Sequence, residues 1–137
     1  MTDLAALKAR YPGAITFKFG DSAEMSAEIL PLVISGKKTA TCAALRDYEA
    51  EPASMPVIGR RDIALAWDDT PVAVIETTDV TQCKFDDVGE DFARAEGEFP
   101  DYASWREAHR VFFDRHGGWS PDMMLVCERF RLIEVIE

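Results

Sequence analysis

The sequence predicts an α+β fold: a small, mostly antiparallel β-barrel of about five to six strands with three to four flanking helices. Three observations carry this. Several segments have helical apolar spacing or a capping residue and are stopped by glycine or proline. Residues 63–67 and 72–80 are apolar runs around the turn Asp68-Asp69-Thr70-Pro71, the pattern of a hairpin. A last run, 123–135, is rich in Val, Leu, Ile and Phe, and strands early and late in a chain commonly close on one another.

In order, residues 3–11 carry Leu4, Leu7 and Tyr11 on one helical face, and Pro12-Gly13 ends that helix. Ile15, Phe17 and Phe19 alternate with polar neighbours as a short strand would. Asp21 or Ser22 caps a second helix, which runs to about Ser35 and is bent or shortened by Pro31. Gly36 suits the left-handed position after it. Residues 39–46 read as a strand and 47–60, which hold Glu49, Glu51, Pro52, Ser54, Pro56 and Gly59, as an exposed loop. The hairpin follows, and residues 90–96 form a short helix broken by Gly97 and Pro100. Asp101 caps a longer helix to about Arg115, with Trp105, Ala108, Phe112 and Phe113 as its apolar stripe, and Gly117-Gly118 stops it. No repeat or linker interrupts the chain, so 1–137 reads as a single domain.

Composition narrows the function. The chain has 137 residues, 47% hydrophobic and 29% charged, which suits a folded globule rather than a disordered one. Its formal net charge is −10, which should repel a long polyanion away from any local basic patch. That argues against duplex DNA, leaves RNA possible at a patch, and favours a small ligand. No apolar run approaches the ~20 residues of a membrane helix, and residues 1–8 lack the pattern of a signal peptide. No membrane association and a cytoplasmic location are the expectations. Cys42, Cys83 and Cys127 have no C-x-x-C spacing and only two histidines accompany them, so they are expected to be small buried thiols, with no metal and no cofactor. No phosphate-binding loop, dinucleotide fingerprint, nucleophile elbow or zinc-protease helix is present.

The segment Ser35-Gly36-Lys37-Lys38-Thr39-Ala40-Thr41 is the strongest candidate for chemistry. It sets two lysines beside two hydroxyls at a helix-to-strand junction in an acidic chain. A lysine beside a hydroxyl can serve as base to its nucleophile, or as a cation that grips an anion. Lys38 and Thr41 share a side only if the chain is still turning as it enters the strand. Glu96 ends a short helix, where cations are electrostatically preferred; a carboxylate there conflicts with its local position. Trp105 and His109 share a helical face and offer a cleft wall with a titratable group. Trp119 and Ser120 offer a stacking surface and a hydroxyl.

Together these segments resemble the ASCH domain family, relatives of the PUA-like RNA-binding barrels. The matching stretches are Gly36-Lys37-Lys38-Thr39-Ala40-Thr41, Val74-Ile75-Glu76-Thr77-Thr78, Phe85-Asp86-Asp87-Val88, Phe92-Ala93-x-x-Glu96-Gly97-Glu98, Trp105-Arg106-x-x-His109, and the run from Asp122-Met123 to Cys127-Glu128-x-Phe130. The likeness spans roughly residues 15–135. It implies a PUA-like fold with an RNA- or nucleoside-binding cleft. Some family members remove the acyl group from the exocyclic nitrogen of acylated cytidines, and others are reported as ribonucleases. In the amidohydrolase pattern a Lys-x-x-Thr pair works with a glutamate, which implies Lys38, Thr41 and Glu96 as catalytic residues here. Lys37, Thr39, Arg46, Trp105, Arg106, His109, Trp119 and Ser120 are the expected substrate contacts. Lys38 is left with two roles, base toward Thr41 or cation at the oxyanion, because a nearby carboxylate raises a lysine's pKa. A ribonuclease or RNA-binding module, and a non-catalytic nucleoside sensor, stand beside the amidohydrolase reading. The acidic run common after Glu-Gly-Glu is interrupted here by Phe99-Pro100, which alters the adjoining loop.

Overall fold

The computed structural model describes residues 3–136. Two long strands organise it. β4 (Pro71–Lys84) and β5 (Met124–Val135) pair antiparallel along most of their lengths, from Ala73 opposite Val135 to Lys84 opposite Met124. β3 (Arg61–Leu65) pairs with β4 through the expected hairpin, and Asp69 takes the left-handed conformation (φ 72°) at its turn. β2 (Ala40–Ala44) pairs antiparallel with the other edge of β5, with Thr41 opposite Glu128 and Cys42 opposite Cys127. β1 (Thr16–Phe17) adds to β3 in parallel.

The order β1-β3-β4-β5-β2 is an open, mixed, five-stranded sheet, so the expected closed barrel is not formed. β1 has only two residues and β2 five, which leaves little edge for closure. The loop expected at 47–60 also contains a helix, α3 (Leu45–Ala50), followed by a 3-10 turn at Pro52–Ser54. The strand expected to reach residue 46 therefore stops at Ala44. Leu45-Arg46-Asp47-Tyr48-Glu49-Ala50 contains several good helix formers and no glycine or proline, so one helical turn forms before Pro52.

The remaining helices follow the sequence closely. They are α1 (Leu4–Arg10), α2 (Ala23–Ile34), α4 (Glu90–Glu96) and α5 (Tyr102–Arg115). Asp3, Ser22 and Asp101 cap α1, α2 and α5 by accepting backbone N–H bonds. Asp21 accepts instead from Arg115 and His116 at the far end of α5. Pro31 sits inside α2, which ends one turn later.

Strand alternation divides the apolar residues. Ala73 and Ile75 face α2 with Ile29, Leu30, Val33 and Phe130, whereas Val74 faces Leu7 of α1. Register shifts at Val74/Ile75 and Thr77/Asp79 bend the long hairpin, and beyond them a third cluster forms under α4 and α5 from Phe85, Phe92, Trp105, Phe113 and Leu125.

α4 is locked against the junction between α2 and β2. Thr39 N–H donates to the Ala95 carbonyl at 2.8 Å. Gly97, at φ 71°, passes so close that a Cβ would lie 2.3 Å from the Lys37 carbonyl oxygen. Gly97→Ala therefore meets both a left-handed backbone and a backbone clash. It should destabilise the fold by at least ~1–3 kcal/mol, read as a lower urea midpoint; an unchanged midpoint would refute this docking.

Candidate active site

Lys38 lies in the last two residues of coil before β2, where its N–H is accepted by the Leu32 carbonyl at 2.9 Å. That bond turns the chain and sends the side chain inward. The ammonium is buried (side chain 1% exposed) and meets two carboxylates: Glu96 Oε1 at 3.1 Å and Glu98 Oε2 at 2.7 Å. Gly97 reverses the backbone between these two glutamates, which lets both reach one lysine.

The other oxygen of Glu96 is equally occupied. Trp105 Nε1–H donates to Oε2 at 2.9 Å and the Cys42 thiol at 3.3 Å, and His109 Nε2 lies 3.5 Å away. His109 Nδ1 stands 2.8 Å from the Trp105 carbonyl. A carbonyl only accepts, so Nδ1 carries a proton. The imidazole also stacks on the Trp105 indole, centroids 4.4 Å apart. Cys42 Sγ, a Glu96 oxygen and a His109 ring nitrogen lie within 4.8 Å of one another, a donor set able to hold a cation.

The electrostatics bear on the two roles for Lys38. Burial alone would lower its pKa, but Glu96 and Glu98 outweigh burial and hold the ammonium above the ordinary lysine value. Burial alone would raise Glu96, but Lys38, His109 and Trp105 bring its carboxyl down to about 2. Burial, then Glu96 and Cys127, push the Cys42 thiol well up. Lys38 is thus held as an ammonium beside Glu96 and Glu98.

Glu96 and Glu98 line an open cavity of about 900 Å³, with Thr41, Cys42, Phe99, His109, Phe112 and neighbouring residues of α2 and α5. Its volume is in the range of small-molecule sites. Thr41 is half-buried at the cavity wall, and its hydroxyl makes no hydrogen bond among the described residues.

The expected site residues thus separate. Lys38 and Glu96 meet; Glu96, Thr41 and His109 line the cavity, Lys38 lies buried behind the two glutamates and outside that lining, and Trp105 is fully buried as a support of Glu96 rather than a free stacking surface. Lys37 and Thr39 are exposed on the outer side of the junction, the Thr39 hydroxyl 3.4 Å from the Ala95 carbonyl. Arg46 donates to the carbonyls of Phe113, His116 and Gly118 and closes the end of α5. Arg106 pairs with Asp86 over the Phe85 ring, Trp119 packs edge-on against Phe85, and Ser120 donates to Asp122. None of Lys37, Thr39, Arg46, Arg106, Trp119 and Ser120 is among the residues lining the cavity. Cys42, expected only as a small buried thiol, and Glu98, present only within the Glu96-Gly97-Glu98 stretch, join the site as well. Glu98 was signalled by the Glu-Gly-Glu spacing; Cys42 had only its place beside Thr41.

The pKa directions set a pH response. Glu96 is depressed from 4.5 to about 2, so its stabilising contribution is complete above pH ~4.5 and lost as pH falls toward 2. Glu96→Gln should remove that part of the acid transition and lower stability at neutral pH, measured by urea unfolding from pH 7 to pH 2. An identical acid transition in wild type and variant would contradict the buried pairing.

A family model for the ASCH domain matches residues 15–134. An ASCH domain structure from Lactobacillus crispatus superposes with a TM-score of 0.81 at 32% identity, covering 92% of this chain and 83% of the other. Protein EF3133 from Enterococcus faecalis superposes at 0.78 with 38% identity over 89% and 77%. An ASCH structure from Zymomonas mobilis, at 12% identity and a TM-score of 0.51 over 90% and 71%, shares the fold alone. A search of curated proteins gave no match. Among the described residues, no helix is long and apolar enough to cross a membrane.

Proposed function

This chain belongs to the ASCH domain family, and from that premise we propose that it is a hydrolase that removes the acyl group from the exocyclic amide of an N4-acylated cytidine or a related acylated nucleoside. The observation that supports this most is the buried Lys38 ammonium, whose two carboxylate partners line the cavity that Thr41 also lines.

In this reading the Thr41 hydroxyl attacks the amide carbonyl. Charge develops on the carbonyl oxygen, and a cation already fixed in a partly dry cleft stabilises it without reorganising. Lys38 supplies that cation. Glu96 holds Lys38 and stays ionised. Glu98 Oε1 has no hydrogen-bond partner among the described residues, and Glu98 is the more exposed carboxylate, 18% against 2%. It takes the proton from Thr41 and returns it to the departing amine, so that the C–N bond breaks. Water then releases the acyl group from Thr41 by the reverse sequence.

The RNA reading has less support. Lys38 is buried, and Arg46 and Arg106 are committed to helix-end carbonyls and to Asp86. The basic patch that a polyanion would need on a chain of net charge −10 is correspondingly reduced.

Purified protein should release cytidine from N4-acetylcytidine; no release, with cleavage of single-stranded RNA by the same preparation, would favour the ribonuclease reading. Thr41→Ala should abolish release with little change in stability, and Thr41→Ser should retain part of it; full activity in Thr41→Ala would end the nucleophile assignment. The pH profile separates the roles of Lys38. Its pKa is raised above 10.5, so a fixed cation predicts kcat/KM falling as pH rises through that raised value. A base predicts kcat/KM rising there.

A further inference from the structure

We propose that Cys42, Glu96 and His109 form a binding site for one thiophilic divalent cation of the Zn²⁺ class, with its remaining coordination position open to the cavity. The three come from β2, α4 and α5, and their ligand atoms already converge. Cys42 Sγ is 3.3 Å and His109 Nε2 is 3.5 Å from the same Glu96 oxygen. Tetrahedral zinc with sulfur, nitrogen and oxygen ligands has ligand–ligand edges of about 3.4–3.6 Å, from bond lengths of ~2.0–2.3 Å. Two edges are therefore close to metal-bound length. The third, from Sγ to a His109 ring nitrogen, is at most 4.8 Å and has to shorten on binding.

The outer contacts are those of a ligand set. His109 Nδ1–H is spent on the Trp105 carbonyl at 2.8 Å, which leaves Nε2 as the free ring nitrogen and aims it at Glu96. Trp105 Nε1–H orients the Glu96 oxygen at 2.9 Å, and the indole fixes the imidazole plane by stacking. A neutral His109 sets two acceptors, Nε2 and Glu96 Oε2, face to face. A metal ion between them would be held by both.

Loading with a metal leaves the buried site neutral. Binding forms a sulfur–metal bond, and the Cys42 thiol proton leaves to solvent. The dication, the Cys42 thiolate, Glu96, Glu98 and Lys38 then sum to neutrality in a buried site, with no oxidant or further reactant required. A Cys-Glu-His set with one position facing an open cavity selects a borderline-soft ion such as Zn²⁺ or Co²⁺ over Mg²⁺ or Ca²⁺.

Co²⁺ is the probe. Added to the reduced, folded wild-type protein, it should give tetrahedral d–d bands and a sulfur-to-cobalt charge-transfer band that saturate at one equivalent. Cys42→Ser should lose the charge-transfer band. His109→Ala should weaken Co²⁺ binding by no less than the ~10–100-fold typical of losing an outer-sphere partner. Cys83 and Cys127 are the competing site, their sulfurs 3.8 Å apart; bands that survive Cys42→Ser and vanish in Cys83→Ser would overturn the proposal. So would no bands at all. X-ray absorption of the zinc-loaded wild type needs no variant: one sulfur ligand supports the assignment, and two or none contradicts it. None of these readouts uses deacylation, so their outcome stands apart from that of the proposed reaction.

Discussion

The Lys38 ammonium buried between Glu96 and Glu98 is the constraint on which the rest of the site depends. An ion buried without partners would cost several kcal/mol, so the surrounding structure has to satisfy each charge. It does so from four elements. The end of α2 turns Lys38 inward, α4 and its glycine deliver two carboxylates, β2 brings the Cys42 thiol, and α5 brings the Trp105 and His109 nitrogens. The helices over this half of the sheet thus cannot shift without exposing or orphaning a charge. A hydrophobic core would tolerate such slippage more easily, and the polar cluster confers positional precision where chemistry is proposed.

The same cluster reconciles an acidic chain with the anion-stabilising role proposed for Lys38. Net charge of −10 disfavours long polyanions at the surface, while one cation inside a cleft acts at short range in a poorly screened setting. That geometry suits a neutral substrate that becomes anionic only at the transition state, as an amide does under attack. The membership of the ASCH family sets the chemical neighbourhood, and the cavity and its charges set the proposal within it.

Much of this was legible in the residues, and the failures have physical causes. Glycine, proline and capping signals placed α1, α2, α4 and α5 almost to the residue, because those signals act locally. Closure of the sheet was not legible, because it depends on edge lengths: β1 forms only two pairs with β3. α3 was missed because six residues carry too little periodicity to separate a helical turn from a loop. Lys38 and Glu96 were found because each conflicts with its surroundings, one a cation in an acidic chain and the other an anion at a helix end. Arg46, Arg106 and Trp119 share residue types with binding sites but were drawn into closing α5 and packing around Phe85, with partners 20 to 72 positions away that no local pattern reveals, and Ser120 donates to Asp122 two residues on.

The central claim is that Lys38 is a charged ammonium when the protein is at rest. Its side-chain ¹⁵N resonance, followed by NMR from pH 6 to pH 12, reports that state directly. The account predicts an ammonium shift throughout neutral pH, with titration above the ordinary lysine value of 10.5. A neutral amine at pH 7, or a titration below 10.5, would contradict it.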